Sequence, residues 1–219
     1  MIRRSLGALA ALILFVSAAA YAASTLSPKP QGAEVAFVAG IQQDLNARFP
    51  TIADAERAGY FRYTNEDDTG AISYANLHWT SADPQHPSQL WYSVDGKLLG
   101  ADFSVPDTTG TPPTLWGINP KRWDAFGAHV HYVLMMDGKE TYGATSVKKF
   151  TDAGGNINDP QAQTVVAMGK AKTPAMVEHV FLFPKIWDLI VWVTPNPNGA
   201  FADKNPLVHP SKNAETMNM

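Results

Sequence analysis

Leu90-Trp91-Tyr92-Ser93-Val94-Asp95-Gly96-Lys97-Leu98-Leu99-Gly100 is the stretch whose reading decides the fold. Two runs rich in aromatic and branched residues, Gln89 to Val94 and Lys97 to Val105, flank an Asp-Gly pair. Asp-Gly accepts the positive φ of a tight two-residue turn, so the runs are expected to fold back on each other as an antiparallel hairpin. Moving outward, Tyr60 to Thr64, Ala71 to Trp79, Ala128 to Met135, Val177 to Phe183 and Trp187 to Val193 are short runs of the same character. Turns rather than long helices join most of them, which favours an antiparallel sheet of about six or seven strands.

The period changes before the first of these runs. Val38, Ile41, Leu45 and Phe49 recur at helical spacing from Glu34 to Pro50, so that segment reads as an amphipathic helix. Thr51 with Asp54 forms a capping-box pattern for a short second helix that Gly59 would end. Pro106 to Lys121 reads as a proline-rich surface loop, Asp159-Pro160 as the start of a helix running through Met168, and Thr194 to Gly199 as a series of turns. The expected class is α+β, with N-terminal helices packed on a mainly antiparallel sheet that is free to curl strongly.

The first residues fit a secretory signal. Arg3 and Arg4 precede an uncharged apolar run from Leu6 to Ala20 and the small-residue pattern Ala20-Tyr21-Ala22, the three-part layout of a peptide cleaved after Ala22. The run is short against the ~20 apolar residues a membrane span needs, and no later segment approaches that length. Residues 1–22 are therefore expected to be removed, leaving 23–219 as a single α+β domain with a mobile tail after about residue 210, periplasmic or secreted. The chain's net charge is −3, and loss of residues 1–22, with two arginines and no acid, makes it −5. An acidic chain without a lysine or arginine block suits no phosphate backbone, so nucleic acid is not an expected partner. Cysteine is absent, which removes disulfides and thiolate chemistry and leaves stability to an aromatic-rich core.

Phe49-Pro50-Thr51 through Ala58-Gly59-Tyr60, Ile72-Ser73-Tyr74-Ala75-Asn76, the hairpin stretch with Val105-Pro106, and the ending Val191-Trp192 with Pro195-Asn196-Pro197-Asn198-Gly199-Ala200-Phe201 resemble a family of exported, functionally uncharacterised proteins. The resemblance spans most of the mature chain outside the segment from Gly138 to Pro174. It implies export and these boundaries and carries no catalytic assignment. The family pattern has His-Tyr-Val-Asn where this chain has Ser73-Tyr74-Ala75-Asn76, and a His where this chain has Ile190. A site built on those two histidines would be missing here.

Ala128-His129-Val130-His131-Tyr132 is the sharpest chemical signal. On a strand, residues two apart share a face, so both imidazoles could reach one zinc or copper ion at bond lengths of ~2.0 to 2.1 Å. A metal centre needs further ligands, for which His179 and His78 are the candidates, with His209 behind them. The cupin pattern that also begins His-x-His places a Glu where this chain has Met135 or Met136, and fails there. Glu178 and Asp137 are the candidate proton carriers of an enzyme built on that centre. The competing explanation makes His129 and His131 ordinary polar or semi-buried strand residues. Methionine pairs suited to Cu(I) read better as core filler, and Glu66-Asp67-Asp68 as a solvated turn rather than a calcium loop. No nucleophile elbow, Walker loop or dinucleotide fingerprint is present. The first functional expectation is an exported small-ligand or metal-binding module; the rivals are a metal-dependent hydrolase or oxidoreductase, and an envelope structural or interaction protein.

Intact-mass analysis of the exported protein is expected to give a chain beginning at Ala23 or within a few residues of it. Retention of Met1 in the membrane fraction would refute signal cleavage.

Overall fold

The computed structural model describes residues 29–80 and 82–215. The expected signal segment, together with Met217 and Met219, lies outside the described residues. α1 (Ala33–Arg48) buries Val38, Ile41 and Leu45, with Phe49 directly after it, the stripe that a 3.6-residue period dictates. α2 (Ile52–Arg57) opens on the expected box, in which Thr51 and Asp54 each bond the other's backbone N–H. It ends in a Schellman motif: Gly59 at φ 88° donates to the Glu56 carbonyl and Tyr60 to that of Ala55.

Nine strands follow, in two sheets rather than the single sheet expected. β1 (Phe61–Arg62), β2 (Ile72–Ala75), β3 (Gln89–Tyr92), β4 (Leu98–Pro106), β5 (Asp124–Phe126) and β9 (Ile186–Trp192) form an open six-stranded sheet in the order β1-β2-β3-β4-β9-β5. β6 (His129–Met136), β7 (Lys139–Ser146) and β8 (Val177–Phe183) form a three-stranded sheet with β6 in the middle. All pairings between these strands are antiparallel. Two short helices, α3 (Val147–Asp152) and α4 (Ala162–Ala167), lie between β7 and β8 in the chain. Among the described residues no helix is long and apolar enough to cross a membrane.

Strand alternation divides the core. Leu90, Ala101, Phe103, Leu189 and Val191, from one face of the large sheet, share a cluster with Val38, Ile41 and Leu45 of α1. From the opposite face, Ala75 and Ile186 join Tyr63 beside β1 and meet Val133, Phe181 and Phe183 of the small sheet, so that the two sheets face each other. The far face of the small sheet, through Val130, Tyr132 and Leu134, packs with Phe150 of α3 and Val165 of α4.

Four local expectations change. The Asp95-Gly96 segment does join β3 to β4, yet as a three-residue loop: Gly96 N–H donates to Ser93 C=O at 2.9 Å, Ser93 N–H to Lys97 C=O at 2.9 Å, and only Gly96, at φ 76°, turns left-handed. The two-residue turn instead sits at Asp137-Gly138, with φ of 51° and 74°, closing β6 onto β7. β7 falls in a stretch expected to be loop, because Lys139-Glu140-Thr141-Tyr142-Gly143-Ala144-Thr145-Ser146 has almost no apolar alternation. Lastly, Glu66 and Asp67 are buried rather than solvated. Glu66 accepts the Ser211 N–H at 2.7 Å and through its own carbonyl the Glu215 N–H at 2.8 Å, while Asp67 accepts from Thr69 and Ala71. The stretch assigned to a mobile tail is thus bonded to Glu66 as far as Glu215.

Two glycines with opposite expectations test this description in one urea-denaturation series. Gly96→Val forces a β-branched residue to positive φ and should cost about 1–3 kcal/mol. Gly40→Ala, on exposed helix with nothing within 4 Å of the new Cβ, should stabilise by about 0.5–1 kcal/mol. Equal shifts of the two midpoints would contradict the backbone assignment.

Candidate functional site

β6 does place His129 and His131 on one face, with ring centroids 4.8 Å apart. The register sets Phe183 opposite His129, Phe181 opposite His131 and His179 opposite Val133. His131 is 8% exposed and enclosed by rings: Phe181 stacks on it, and Tyr63 and Phe183 approach edge-on. Burial, and then the neighbouring His129, pushes its imidazole down to about 3. His129 is less buried, and its Nδ1 lies 2.8 Å from the Gly127 carbonyl.

The rest of the expected centre is dispersed. His179 is exposed and stacks on Phe61 at 4.3 Å. His78 is exposed in a single 3-10 turn, Leu77–Trp79, and His209 is exposed beyond the last strand. Glu178 is exposed where the β6–β8 register slips, and Asp137 is the first residue of the β6–β7 turn. Both candidate proton carriers are therefore exposed. Among the described residues no group of three or more His, Asp or Glu is placed to hold a metal ion, so the set His129, His131, His179 and His78 is not assembled.

The chemistry concentrated in the core belongs to residues that sequence inspection passed over. On the large-sheet face turned toward the small sheet, Gln89, Asp102 and Ile190 lie in one register row and Ser104, Asp188 and Asp124 in the next. Asp102 and Asp188 are 5% and 4% exposed. Trp91 Nε1 donates to Asp102 Oδ2 at 2.9 Å, Ser104 Oγ donates to Asp188 Oδ1 at 2.6 Å, and Ser88 Oγ lies 2.6 Å from Ser104 Oγ. Tyr63 donates its hydroxyl to Gln89 in the same seam. Ser73 and Ile190, where the resembled pattern has histidine, lie opposite Trp91 and Asp102 in the register.

Among the described residues no ion pair joins either aspartate, and Asp102 Oδ1 has no hydrogen-bond donor. The Asp188 charge bears on it, and two interacting buried carboxylates cannot both ionise without a large penalty. Burial first, and then the Asp188 charge, holds Asp102 well above the ordinary carboxylate range. Burial also raises Asp188, against the Ser104 and Asp102 hydrogen bonds, and Asp124 adds repulsion. Tyr63 is raised by burial and by both aspartates. The signal for this cluster was available: Asp188 interrupts the apolar run Trp187 to Val193, an expensive position for an acid without a partner.

Two clefts open elsewhere. One, of about 640 Å³, is lined by Gln31, Glu34, Thr114, Asn119, Lys121 and Arg122 among others. Burial opposes ionisation of Glu34, but hydrogen bonds from Arg122, Asn119 and Gln31 outweigh it and hold the carboxyl below its usual value. The other, of about 430 Å³, lies between β7 and the helices, lined by Ala144, Thr145, Lys149, Asp152, Ala153, Met168 and Lys170. No family model matches the chain, and no curated protein or solved structure matches it significantly.

The seam and His131 give opposite pH dependences. Raised carboxyls make the folded chain hold more protons than the unfolded one, so their contribution is complete below about pH 4 and declines as pH rises. A depressed imidazole contributes fully above about pH 6.5 and loses its contribution as pH falls. Asp102→Asn, which keeps a donor toward Asp188, should flatten the decline between about pH 5 and 8, and His131→Phe should flatten the loss between about pH 6.5 and 4.5. Urea midpoints across pH check both; wild-type slopes in the two variants would contradict the assignment.

Proposed function

We propose that this chain is an exported binding module that takes an anionic ligand in the cleft between β7 and α3/α4. One observation carries the reading. Lys149 and Lys170 line that cleft with no ion-pair partner among the described residues, while its one acid, Asp152, is bonded to Lys148 at 2.7 Å. Paired cations with unsatisfied charge on a formed concavity favour carboxylate, phosphate or sulfate groups.

The sequence builds this cleft locally. Ser146 ends β7 and caps α3, its Oγ accepting the Lys149 N–H at 3.2 Å. Phe150, fully buried, fixes α3 against the small sheet, and Val165, also fully buried, fixes α4. A Schellman turn through Gly169 at φ 70° then delivers Lys170, whose N–H bonds the Val165 carbonyl at 3.1 Å. The two lysines are therefore carried on anchored backbone rather than on a free loop.

The enzyme alternative, a hydrolase or oxidoreductase with zinc or copper on His129 and His131, draws support only from the proximity of those two rings. The acid pair that could move a proton is closed between the sheets. Export rests on the signal pattern of the first 22 residues.

Titration of the 15N-labelled mature protein with citrate and with inorganic phosphate tests the proposal. Amide shifts should map to 144–153 and 168–170, and Lys149→Glu with Lys170→Glu should weaken binding at least tenfold. Lys121→Glu, in the larger cleft, should leave it unchanged. Saturable binding that follows Lys121 instead, or no binding of either anion, would overturn the assignment.

A further inference from the structure

The two sheets present four edge strands, and three of them are blunted. β1 has two residues and β5 three. β8 has seven, but its pairing with β6 slips at Glu178. β7 differs: eight residues without proline, paired with β6 in unbroken register from Met136–Lys139 to His129–Ser146. Among the described residues β7 pairs with β6 alone. Short length, bulges and proline are the usual protections of a sheet edge, and an edge lacking them is a template for another strand.

The turn chemistry says which groups are open. Asp137-Gly138 is a two-residue loop, so Met136 and Lys139 form the hydrogen-bonded closing pair and alternate β7 residues bond β6 thereafter. The outward N–H and C=O groups are those of Glu140, Tyr142 and Ala144. Of these residues Tyr142 packs with the Val133 and Phe181 cluster under the Arg62 guanidinium, while Glu140 and Ala144 are exposed. The edge is thereby anchored at its middle by a packed side chain. At its Ala144 end it borders the lysine cleft.

We infer that β7 receives an extended acidic peptide segment of a partner protein, which adds as a further strand while its carboxylates meet Lys149 and Lys170. This rests on the anionic-ligand reading of the cleft and names its occupant. Charge selects an acidic peptide: Lys149 and Lys170 stand at the Ala144 end of the edge, and acidic side chains spaced two apart on an added strand fall on one face of it.

The experiment uses the mature chain and decapeptides selected on it from a random library, then labelled with fluorescein for anisotropy. The selected sequences should be acidic and free of proline. N-methylation of alternate peptide nitrogens should weaken binding at least tenfold. Glu140→Pro removes one outward N–H at the end of the edge away from the cleft and leaves the β6 bonds intact, the position at which a sheet edge accepts proline; it should also weaken the peptide tenfold while citrate still binds. Should that variant not fold, the N-methylated peptides decide alone. Selection of no peptide, of basic or apolar peptides, or of peptides indifferent to N-methylation overturns strand addition. If citrate and phosphate still bind through Lys149 and Lys170 in that case, the cleft reading stands without it; if they too fail, the failure lies in the cleft itself.

Discussion

Two carboxyl groups closed between two β-sheets with no bonded cation constrain much of this molecule. Asp102 on β4 and Asp188 on β9 occupy adjacent register rows on the buried face, and neither can be moved without exposing the other. A one-residue slip of either strand would turn its aspartate to the opposite face, among Leu90, Phe103 and Leu189, away from the Ser104 and Trp91 groups that bond it here. The polar seam thus fixes the β4–β9 register at the junction of early and late chain. It is a specificity device in the sense that buried polar groups penalise alternatives more than they stabilise the native state. Ser104, Ser88 and Trp91 complete it, each bonded to another member of the seam.

Much of the fold was legible in the sequence and much of the candidate site was not, and the causes differ. α1, the α2 cap, and the strands at β3, β4, β6, β8 and β9 announce themselves through period and capping chemistry, which act locally. The division into two sheets does not, because alternation specifies that a strand has two faces and not what covers the second. In β4, Asp102 and Ser104 alternate with Ala101, Phe103 and Val105, the pattern of a half-solvated strand. Only the packing of the small sheet over that face turns those polar residues into core. Conversely, His129 and His131 looked like the centre of the chemistry because spacing is visible in a sequence. The absence of a converging third group is a tertiary fact.

The two Asp-Gly pairs show how far a local signal reaches. Both close hairpins, and both place glycine at positive φ. At Asp137 the aspartate is left-handed as well, the strands meet at once, and a regular eight-pair ladder follows. At Asp95 the extra residue Gly96 forms a bulge, and β3 and β4 pair with a register irregularity at Tyr92. Bulges interrupt a ladder and a two-residue turn does not, so β7 keeps regular register along its length while the β3–β4 pairing shifts. The same dipeptide serves packing in one place and exposure in the other.

His131 and the aspartate pair set limits on where such a domain is comfortable. The imidazole is neutral because rings surround it, and protonation would place a cation against Phe181 and Phe183. Burial raises both aspartates, and ionisation of both would place two anions against Ser104 and Trp91. Each group keeps its favoured form at the pH that destabilises the other, so acid strains the small sheet and alkali the large one. Tyr63 touches both sides: its ring meets His131 edge-on at 4.8 Å, and its hydroxyl bonds Gln89, whose register neighbour on β4 is Asp102. Strain at either group is therefore delivered to the contact between the sheets, the surface that also holds Tyr142 of β7. The anchoring of that strand depends, in this arrangement, on interior groups remaining uncharged or singly charged several strands away.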